Sequence, residues 1–269
     1  MNTRLLENQT AIVTGSSSGN GRAIALALSA AGATVVCADL HKNARKEGYE
    51  EDLEIDTDDV IQRRGGRAVY VQVDVRYPLQ VKSLVTRAAT EFGRLDIMIN
   101  NAEVFTGLHA IIDETEDLYD SAMAVNAKGV WLCCKYAITQ MLTQEPLETA
   151  SRGKIVNIAS VTALIGEGHH TAHSASNAAV VNLTLQLAVT FGPRRINVNA
   201  LCPGFIPTAM TRPTNAETEE RHTGALQATP WLRFGTPKDV AQCVLFLTSS
   251  EAEWVTGAIL SVDGGVSAK

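Results

Sequence analysis

A glycine-rich segment near the start of the chain has the residue types needed to bind a pyrophosphate. Residues 11–21 read Ala-Ile-Val-Thr-Gly-Ser-Ser-Ser-Gly-Asn-Gly, and a helical pattern begins at Arg22. Glycines allow a tight turn and a close approach of the backbone, and a helix N-terminus attracts an anion. A buried strand before the glycines and a helix after them are the context that gives such a motif its meaning. The segment therefore predicts a phosphate cradle.

Two acidic residues downstream suit the rest of a dinucleotide. Asp39 ends the second apolar run, about 20 residues beyond the glycines, where a carboxylate can accept a hydrogen bond from the adenosine ribose. The same carboxylate would repel a 2′-phosphate, so NAD(H) is favoured and NADP(H) remains possible. Lys42 and Arg45 follow closely and could soften this preference. Asp74, after the third strand, suits an adenine contact or a simple strand-end cap.

Short β-branched runs alternate with longer helical patterns along the chain, which is typical of βαβ units. Several runs are apolar on both faces, as in strands covered by helices on each side. The pattern predicts one Rossmann-type α/β domain over residues 1–269, with three layers and a doubly wound parallel sheet of about seven strands. Strands are predicted at residues 11–13, 34–37, 68–71, 97–99, 155–158, 196–199 and 259–262. Helices are predicted at residues 22–31, 79–92, 118–142, 175–191 and 237–247.

Two segments interrupt the alternation. Residues 41–59 are dense in charge and predict a solvated excursion before a helix. Residues 205–235 are rich in Pro, Thr and Ala, and a connection of that length is typical of a substrate-binding lid. Four apolar side chains in this lid either line a substrate pocket or pin the segment to the body of the domain. They are Phe205, Met210, Leu226 and Trp231.

Composition excludes several classes of function. The chain has 269 residues, a net charge of −6 and 45% hydrophobic residues. An acidic protein repels nucleic-acid backbones, so no nucleic-acid partner is expected. The chain has neither a signal-peptide pattern nor an apolar run of membrane-spanning length, which favours a cytoplasmic protein without a membrane partner. Its five cysteines, at positions 37, 133, 134, 202 and 243, have no metal or redox spacing and are expected to be reduced core residues.

The motifs along the whole chain resemble, in order, those of the short-chain dehydrogenase/reductase family. The first is Thr-Gly-x-x-x-Gly-x-Gly at residues 14–21, in place of the commoner Gly-x-Gly-x-x-Gly. The others are Asn-Asn-Ala at 100–102, Val-Asn-Ala at 125–127, Asn-Ile-Ala-Ser at 157–160, Pro-Gly-x-x-x-Thr at 203–208 and Val-Asp-Gly-Gly at 262–265. The resemblance implies a nicotinamide cofactor and a dimer or tetramer of identical chains. It also implies cofactor contacts from Gly15, Ser17, Ser18, Gly19, Gly21, Asp39, Asp74, Val75, Asn101, Ala102, Asn177, Pro203, Gly204 and Thr208.

The resemblance also implies an active-site tetrad of Asn, Ser, Tyr and Lys, of which only half is present. Asn126 and Ser160 match the first two members. The Tyr-x-x-x-Lys pair is expected thirteen residues after the serine, where the chain has His173 and Asn177. Asn177 can still bond a ribose hydroxyl but supplies no charge. An imidazole acts as acid or base near neutral pH without a lysine, so the double replacement is chemically coherent.

A third departure lies at Glu103, where the family has glycine after Asn-Asn-Ala. This backbone is expected to run beside the cofactor, so the glutamate adds bulk and a carboxylate there. Glu103 is therefore a further catalytic candidate, or else a block to the nicotinamide pocket. His169 and His170 precede His173, but the histidines have no convincing ligand spacing with a carboxylate, and no metal site is expected.

Three functions are compatible with this altered centre. The first is an NAD(H)-dependent oxidoreductase acting on a hydrophobic ketone or alcohol, with Ser160 polarising the carbonyl and His173 relaying the proton. The second is a non-redox isomerase, dehydratase or cyclase that uses His173 and Glu103 in acid–base chemistry on a small molecule. The third is a catalytically silent protein that only binds the cofactor. The departures cluster at the expected chemical centre while the cofactor motifs are intact, which favours an enzyme.

Overall fold

The structure is a computed structural model that describes residues 5–50, 52–146, 151–212 and 216–269. Within these ranges seven strands form one parallel sheet in the order β3-β2-β1-β4-β5-β6-β7. The strands are β1 (Thr10–Thr14), β2 (Thr34–Asp39), β3 (Ala68–Gln72), β4 (Ile97–Asn100), β5 (Gly153–Ile158), β6 (Ile196–Pro203) and β7 (Ile259–Val262). The order runs outward in one direction from β1 to β3 and in the other from β4 to β7, so the sheet is doubly wound.

Helices connect the strands on both faces of the sheet. Within the described ranges they are α1 (Gly19–Ala30), α2 (Thr57–Arg63), α3 (Pro78–Phe92), α4 (Glu116–Ala122), α5 (Val130–Met141), α6 (Thr171–Phe191), α7 (Ala216–Ala228) and α8 (Pro237–Thr248). Successive side chains of a strand point to opposite faces. On β4, Ile97 and Ile99 pack in the cluster that contains residues of α1 and α8, whereas Met98 packs in the cluster with α3, α5 and α6. The predicted three-layer Rossmann fold is confirmed.

The helix predicted over residues 118–142 is divided in the structure. A π-helical turn, Met123–Gly129, lies between α4 and α5. Asn126 in this turn accepts a hydrogen bond from the Val104 amide at 2.9 Å and donates one to the Val104 carbonyl at 3.0 Å. A π turn inside a helix is frequent at functional sites, and hydrophobic periodicity does not reveal it.

The two irregular segments are more structured than the sequence indicates. Residues 205–235 contain α7, and residues 213–215 lie outside the described part of the chain. The segment expected to be a solvated excursion folds against α1, because the buried Arg22 guanidinium donates to the carbonyls of Asp52 and Ile55. Its helix, α2, already begins at Thr57. The expectation of a solvated segment is therefore wrong for the part that contacts α1.

The cysteines have the structural role that the sequence indicates. All five are free thiols, and all except the partly buried Cys243 are buried. Burial raises the pKa of the Cys37 thiol to about 12, so the thiolate is disfavoured. No helix in the described residues is long and apolar enough to cross a membrane.

Candidate active site

A cleft of about 940 Å³ opens where the strands end at their carboxyl edge. Segments that follow β1, β2, β4, β5 and β6 line this cleft, as expected for a ligand site at the switch point of a doubly wound sheet. Twelve of the fourteen residues expected to contact a cofactor lie on its wall. The two exceptions, Gly21 and Asn177, lie behind the wall. Among the expected catalytic residues, Glu103, Ser160 and His173 face the cleft, while Asn126 and Asn177 do not line it.

The phosphate cradle requires its glycines for geometric reasons. Gly15 and Gly19 have φ angles of +64° and +56°, a conformation that disfavours residues with a Cβ. A Cβ on Gly21 would lie 2.0 Å from the Gly15 carbonyl oxygen, so only glycine lets α1 approach the turn this closely. The residues present therefore fit a pyrophosphate at the N-terminus of α1.

The end of β4 braces this cradle. The Asn101 side-chain amide donates to the carbonyls of Thr14 and Gly15 at 3.0 and 3.1 Å. The backbone amides of Asn101 and Ala102 both donate to the Thr14 hydroxyl. Asn101 and Ala102 were expected as cofactor contacts, and the structure gives them this bracing position in addition to a place on the cleft wall.

At the β2 end of the cleft, charged side chains are held by neighbours. The Asp39 carboxylate accepts from the Ser17 amide at 2.9 Å and from the Leu40 amide at 2.7 Å. Lys42 lies 3.3–3.6 Å from three carboxylates of the segment before and within α2, which are Asp56, Asp58 and Asp59. Those three are the one group in the described residues with metal-ligand spacing, and Lys42 already neutralises part of their charge.

Asp74 and Arg76 form a second ion pair on the cleft wall. The Arg76 guanidinium bonds both carboxylate oxygens of Asp74, with the shortest contact at 2.6 Å. This hydrogen bonding holds the pKa of Asp74 below its ordinary value. The Asp74 side chain therefore stays ionised and fixed at the end of β3.

A carboxylate from the charged segment at residues 41–59 lies in the cradle. The Glu50 carboxylate accepts a hydrogen bond from the backbone amide of Gly19, and Gly19 is the first residue of α1. The other Glu50 oxygen is buried without a hydrogen-bond partner within the described residues. The sequence does not indicate that Glu50 lies in the cradle. An acidic run before a helix has the same composition whether it is exposed to solvent or packed against the cradle.

The expected chemical centre is built around one carboxylate oxygen. Oε1 of Glu103 lies 3.3 Å from Nδ1 of His173 and 2.9 Å from the side-chain nitrogen of Asn177. The side chains of Glu103 and His173 are mostly buried, at 21% and 14% exposure. Asn177 is 2% exposed and lies one helical turn after His173, behind the carboxylate. Glu103, and not Asn177, therefore presents a polar group to the cleft at this place.

Asn126 does not line the cleft, but it holds the backbone that carries Glu103. Its two hydrogen bonds to Val104 fix the backbone beside Glu103, and its amide also reaches the Ser176 hydroxyl at 3.3 Å. The Ser176 hydroxyl in turn donates to the His173 carbonyl. The π turn thus couples the segment after β4 to the first turn of α6.

Ser160 follows β5 and lies on the cleft wall. Its oxygen accepts from the Thr162 amide at 3.2 Å and from the Thr162 hydroxyl at 3.1 Å. With both of these donors directed at its oxygen, the Ser160 hydroxyl has its own hydrogen left to donate. Thr162 was not expected to have this role.

Aromatic and apolar groups form the rest of this end of the cleft. The Phe105 ring contacts the rings of His170 and His173 edge-on, with centroids 5.8 and 5.6 Å apart. Of the four apolar lid residues, Phe205 and Met210 line the cleft, whereas Trp231 is 71% exposed. The fourth, Leu226, is partly buried but is not on the cleft wall.

The histidines before α6 do not gather around a metal position. His170 lies on the cleft wall, with its Nδ1 atom 3.4 Å from a Glu167 carboxylate oxygen, whereas His169 is exposed. No cluster of three ligand atoms at this end is present in the described residues.

The doubly wound sheet, the glycine cradle and the cleft at the switch point define a protein with the Rossmann-type fold, a fold whose members bind nucleotides at this place. The sequence profile of the family described as "Enoyl-(Acyl carrier protein) reductase" matches residues 15–267. The chain belongs to the short-chain dehydrogenase/reductase family.

Relatives across the family align over the full chain. It is 36% identical over 265 residues to the short chain dehydrogenase/reductase astE of Aspergillus oryzae, covering 97% of this chain and 96% of that protein. It is 34% identical over 261 residues to the 3-oxoacyl-[acyl-carrier-protein] reductase FabG of Thermotoga maritima, covering 97% and 98%. A crystal structure of a putative 2-deoxy-d-gluconate 3-dehydrogenase from Agrobacterium tumefaciens with bound NADP superposes with a TM-score of 0.82, at 34% identity and full coverage of both chains. The protein is therefore similar throughout to dehydrogenases and reductases.

Proposed function

We propose that the protein is an NAD(H)-dependent oxidoreductase that interconverts an uncharged, largely apolar ketone and its alcohol. The observation that carries this proposal is the placement of His173 and Ser160 on the same cleft as the glycine cradle. Membership in a family of dehydrogenases and reductases supports redox chemistry.

His173 is proposed to move the proton of the reaction. Its Nδ1 atom lies 3.3 Å from the Glu103 carboxylate, which favours the tautomer with hydrogen on Nδ1 and leaves Nε2 to exchange a proton with the substrate. In alcohol oxidation, the hydroxyl proton passes to Nε2 as the carbon loses hydride; in ketone reduction, Nε2 returns that proton to the oxygen. A bound nicotinamide supplies or accepts the hydride. Glu103 holds the ring in the required tautomer, as a carboxylate does for a catalytic histidine elsewhere.

Ser160 is proposed to bind the reacting oxygen. Its unshared hydrogen is available for a carbonyl oxygen in the cleft, because Thr162 directs two donors at the serine oxygen. Such a donor stabilises negative charge that develops on the oxygen in the transition state. In this proposal Ser160 and His173, which line the same cleft, both act on the reacting oxygen.

The chemistry of the cleft wall supports the proposed substrate class. Phe105, Phe205 and Met210 supply apolar surface, and the carboxylates of Glu103 and Glu167 lie at this end of the cleft. The arginines that line the cleft in the described residues follow β2, β3 and the Thr208 turn. An anionic substrate would therefore meet repulsion near His173, and a neutral apolar one would not.

The β2 end supports NAD(H) over NADP(H). Asp39 places a carboxylate where a 2′-phosphate would have to fit, and Lys42 is engaged by three carboxylates. Arg45 lies on the wall and is the residue most able to weaken this preference.

A non-redox reaction is the second candidate, because the same Glu103–His173 contact at 3.3 Å is an acid–base pair without any cofactor. To separate the two, purified protein is incubated with NADH or NADPH and a panel of neutral cyclic and aryl ketones, while nicotinamide absorbance and product formation are both followed. His173→Asn is expected to remove turnover, and His169→Asn, at an exposed neighbouring position, is expected to keep it. Product without an absorbance change supports the non-redox reaction. Dinucleotide binding without any product contradicts both.

A further inference from the structure

The cleft has a direction that the sheet order fixes. The cradle follows β1, the Asp39 end lies toward β2, and the segments with Glu103 and Ser160 follow β4 and β5. A dinucleotide with its pyrophosphate on α1 and its adenosine beside Asp39 must place its other half at the β4–β5 end. The nicotinamide ring therefore belongs near Glu103.

The two ends of the cleft carry different charge. Arg45, Arg76 and Arg212 line the wall in the half that contains β2 and β3, and Arg212 bonds the Glu47 carbonyl there. At the β4–β5 end, the ionisable side chains on the wall are two carboxylates and two imidazoles, within the residues that the structure describes. They are Glu103, Glu167, His170 and His173.

The Glu103 carboxylate is fixed in place at this end. Asn177, 2% exposed, donates to Oε1 at 2.9 Å, and its amide nitrogen also reaches the His173 carbonyl at 3.0 Å. Asn126 holds the next residue, Val104, through both of its backbone polar groups. A carboxylate held in this way cannot turn freely into solvent, so its negative potential acts on whatever ring lies beside it.

The oxidised and reduced cofactors differ in the charge of that ring: the nicotinamide of NAD⁺ carries a positive charge, and that of NADH is neutral. We propose that Glu103 makes this site bind NAD⁺ more tightly than NADH. This proposal rests on the proposed function, since it assumes that a nicotinamide dinucleotide is the cofactor. A preference for the oxidised form lowers the reduction potential of the bound couple. Bound NADH is then a stronger hydride donor, which favours reduction of the ketone.

The test measures binding and not turnover. Affinities for NAD⁺ and NADH are determined separately by calorimetry at fixed pH and low ionic strength, without substrate, for the parent, Glu103→Gln and Glu116→Gln. Glu116 is an exposed residue at the start of α4, so its variant removes the same charge away from the cleft. Glu103→Gln is expected to weaken NAD⁺ binding about fivefold to tenfold, an attraction of ordinary size for a partly buried charge near another, and to change NADH binding less than about twofold. Glu116→Gln is expected to change neither.

A second variant protects the test against a folding defect in the first. Asn177→Lys places an ammonium beside Oε1 of Glu103 and is expected to reduce the NAD⁺ to NADH preference in the same direction. If both nucleotides bind but the variants shift both affinities equally or not at all, the inference is overturned and the proposed function stands. If neither nucleotide binds to the parent, the proposed function fails and the inference fails with it.

Discussion

Glu50 provides a direct test of how the cradle binds its ligand. Its carboxylate accepts a hydrogen bond from the Gly19 amide at the N-terminus of α1. A pyrophosphate in the cradle would accept a hydrogen bond from the same amide. A dinucleotide must therefore displace this side chain. We expect that Glu50→Ala tightens NAD⁺ binding, because the variant removes both the competing acceptor and a negative charge beside the phosphates.

The size of this effect follows from the contact. A hydrogen bond to a charged group contributes about 1.5–3 kcal/mol when buried. Glu50 is only partly buried, and solvent screening lowers the value to about 1 kcal/mol. Loss of this competition corresponds to roughly fivefold tighter binding of NAD⁺. Glu50→Gln, which keeps an acceptor without the charge, is expected to fall between the parent and the alanine variant.

The assay is calorimetric titration of NAD⁺ at two salt concentrations. Glu54→Gln is the matched control, since Glu54 is an exposed residue of the same segment, and it is expected to leave the affinity unchanged. The gain with Glu50→Ala should shrink at high salt, because part of it is electrostatic. Unchanged or weaker binding by Glu50→Ala would refute the idea that this carboxylate competes with the phosphates.

Two further substitutions test the glycine cradle and the Arg233–Asp239 ion pair at the start of α8. Gly21→Ala is expected to abolish dinucleotide binding in calorimetry, because its Cβ would lie 2.0 Å from the Gly15 carbonyl oxygen. Gly192→Ala is the control, since a Cβ there meets nothing within 4 Å and Gly192 does not line the cleft, and this variant should bind normally. Hydrogen bonding from Arg233 lowers the pKa of Asp239 to about 2, below its ordinary value of 3.8, so the folded state is stabilised above about pH 4 and loses this contribution as pH falls toward 2. Asp239→Asn should therefore lower the free energy of unfolding by about 1 kcal/mol at pH 7, after discounting for partial exposure, and by much less near pH 2 in denaturant titrations.

The fold and the residues that line the cleft could be predicted because they depend on local patterns. The alternation of Ile97, Met98 and Ile99 toward opposite helical layers is a property of any doubly covered strand. Gly15 and Gly19 are recognisable because few other residues adopt their positive φ angles. Both signals are contained within a few consecutive residues.

Other features depend on contacts between distant parts of the chain. The π turn around Asn126 is stabilised by hydrogen bonds to Val104, 22 residues earlier, and no spacing rule announces it. The place of Glu50 depends on a contact with Gly19, 31 residues away. Asn177 was expected to bond a ribose. In the structure the Glu103 carboxylate lies between Asn177 and the cleft, and the Asn177 amide donates a hydrogen bond to it. The sequence position of Asn177 does not indicate this contact, because Glu103 is 74 residues away.

The three departures from the family pattern are best understood as one unit. A histidine at 173 needs a partner that fixes its tautomer, and the Glu103 carboxylate is 3.3 Å from its Nδ1. A carboxylate at 103 needs a donor behind it, and Asn177 supplies one at 2.9 Å while it also bonds the His173 carbonyl. Changing position 103 or 173 back to the family residue removes the carboxylate–imidazole contact, and changing position 177 back adds a positive charge beside Glu103, so energetic coupling among the three positions is expected to be strong. The unit also replaces the positive charge that the family places here with a negative one. In the function we propose, this change of sign connects the proton chemistry of His173 to the preference between oxidised and reduced cofactor.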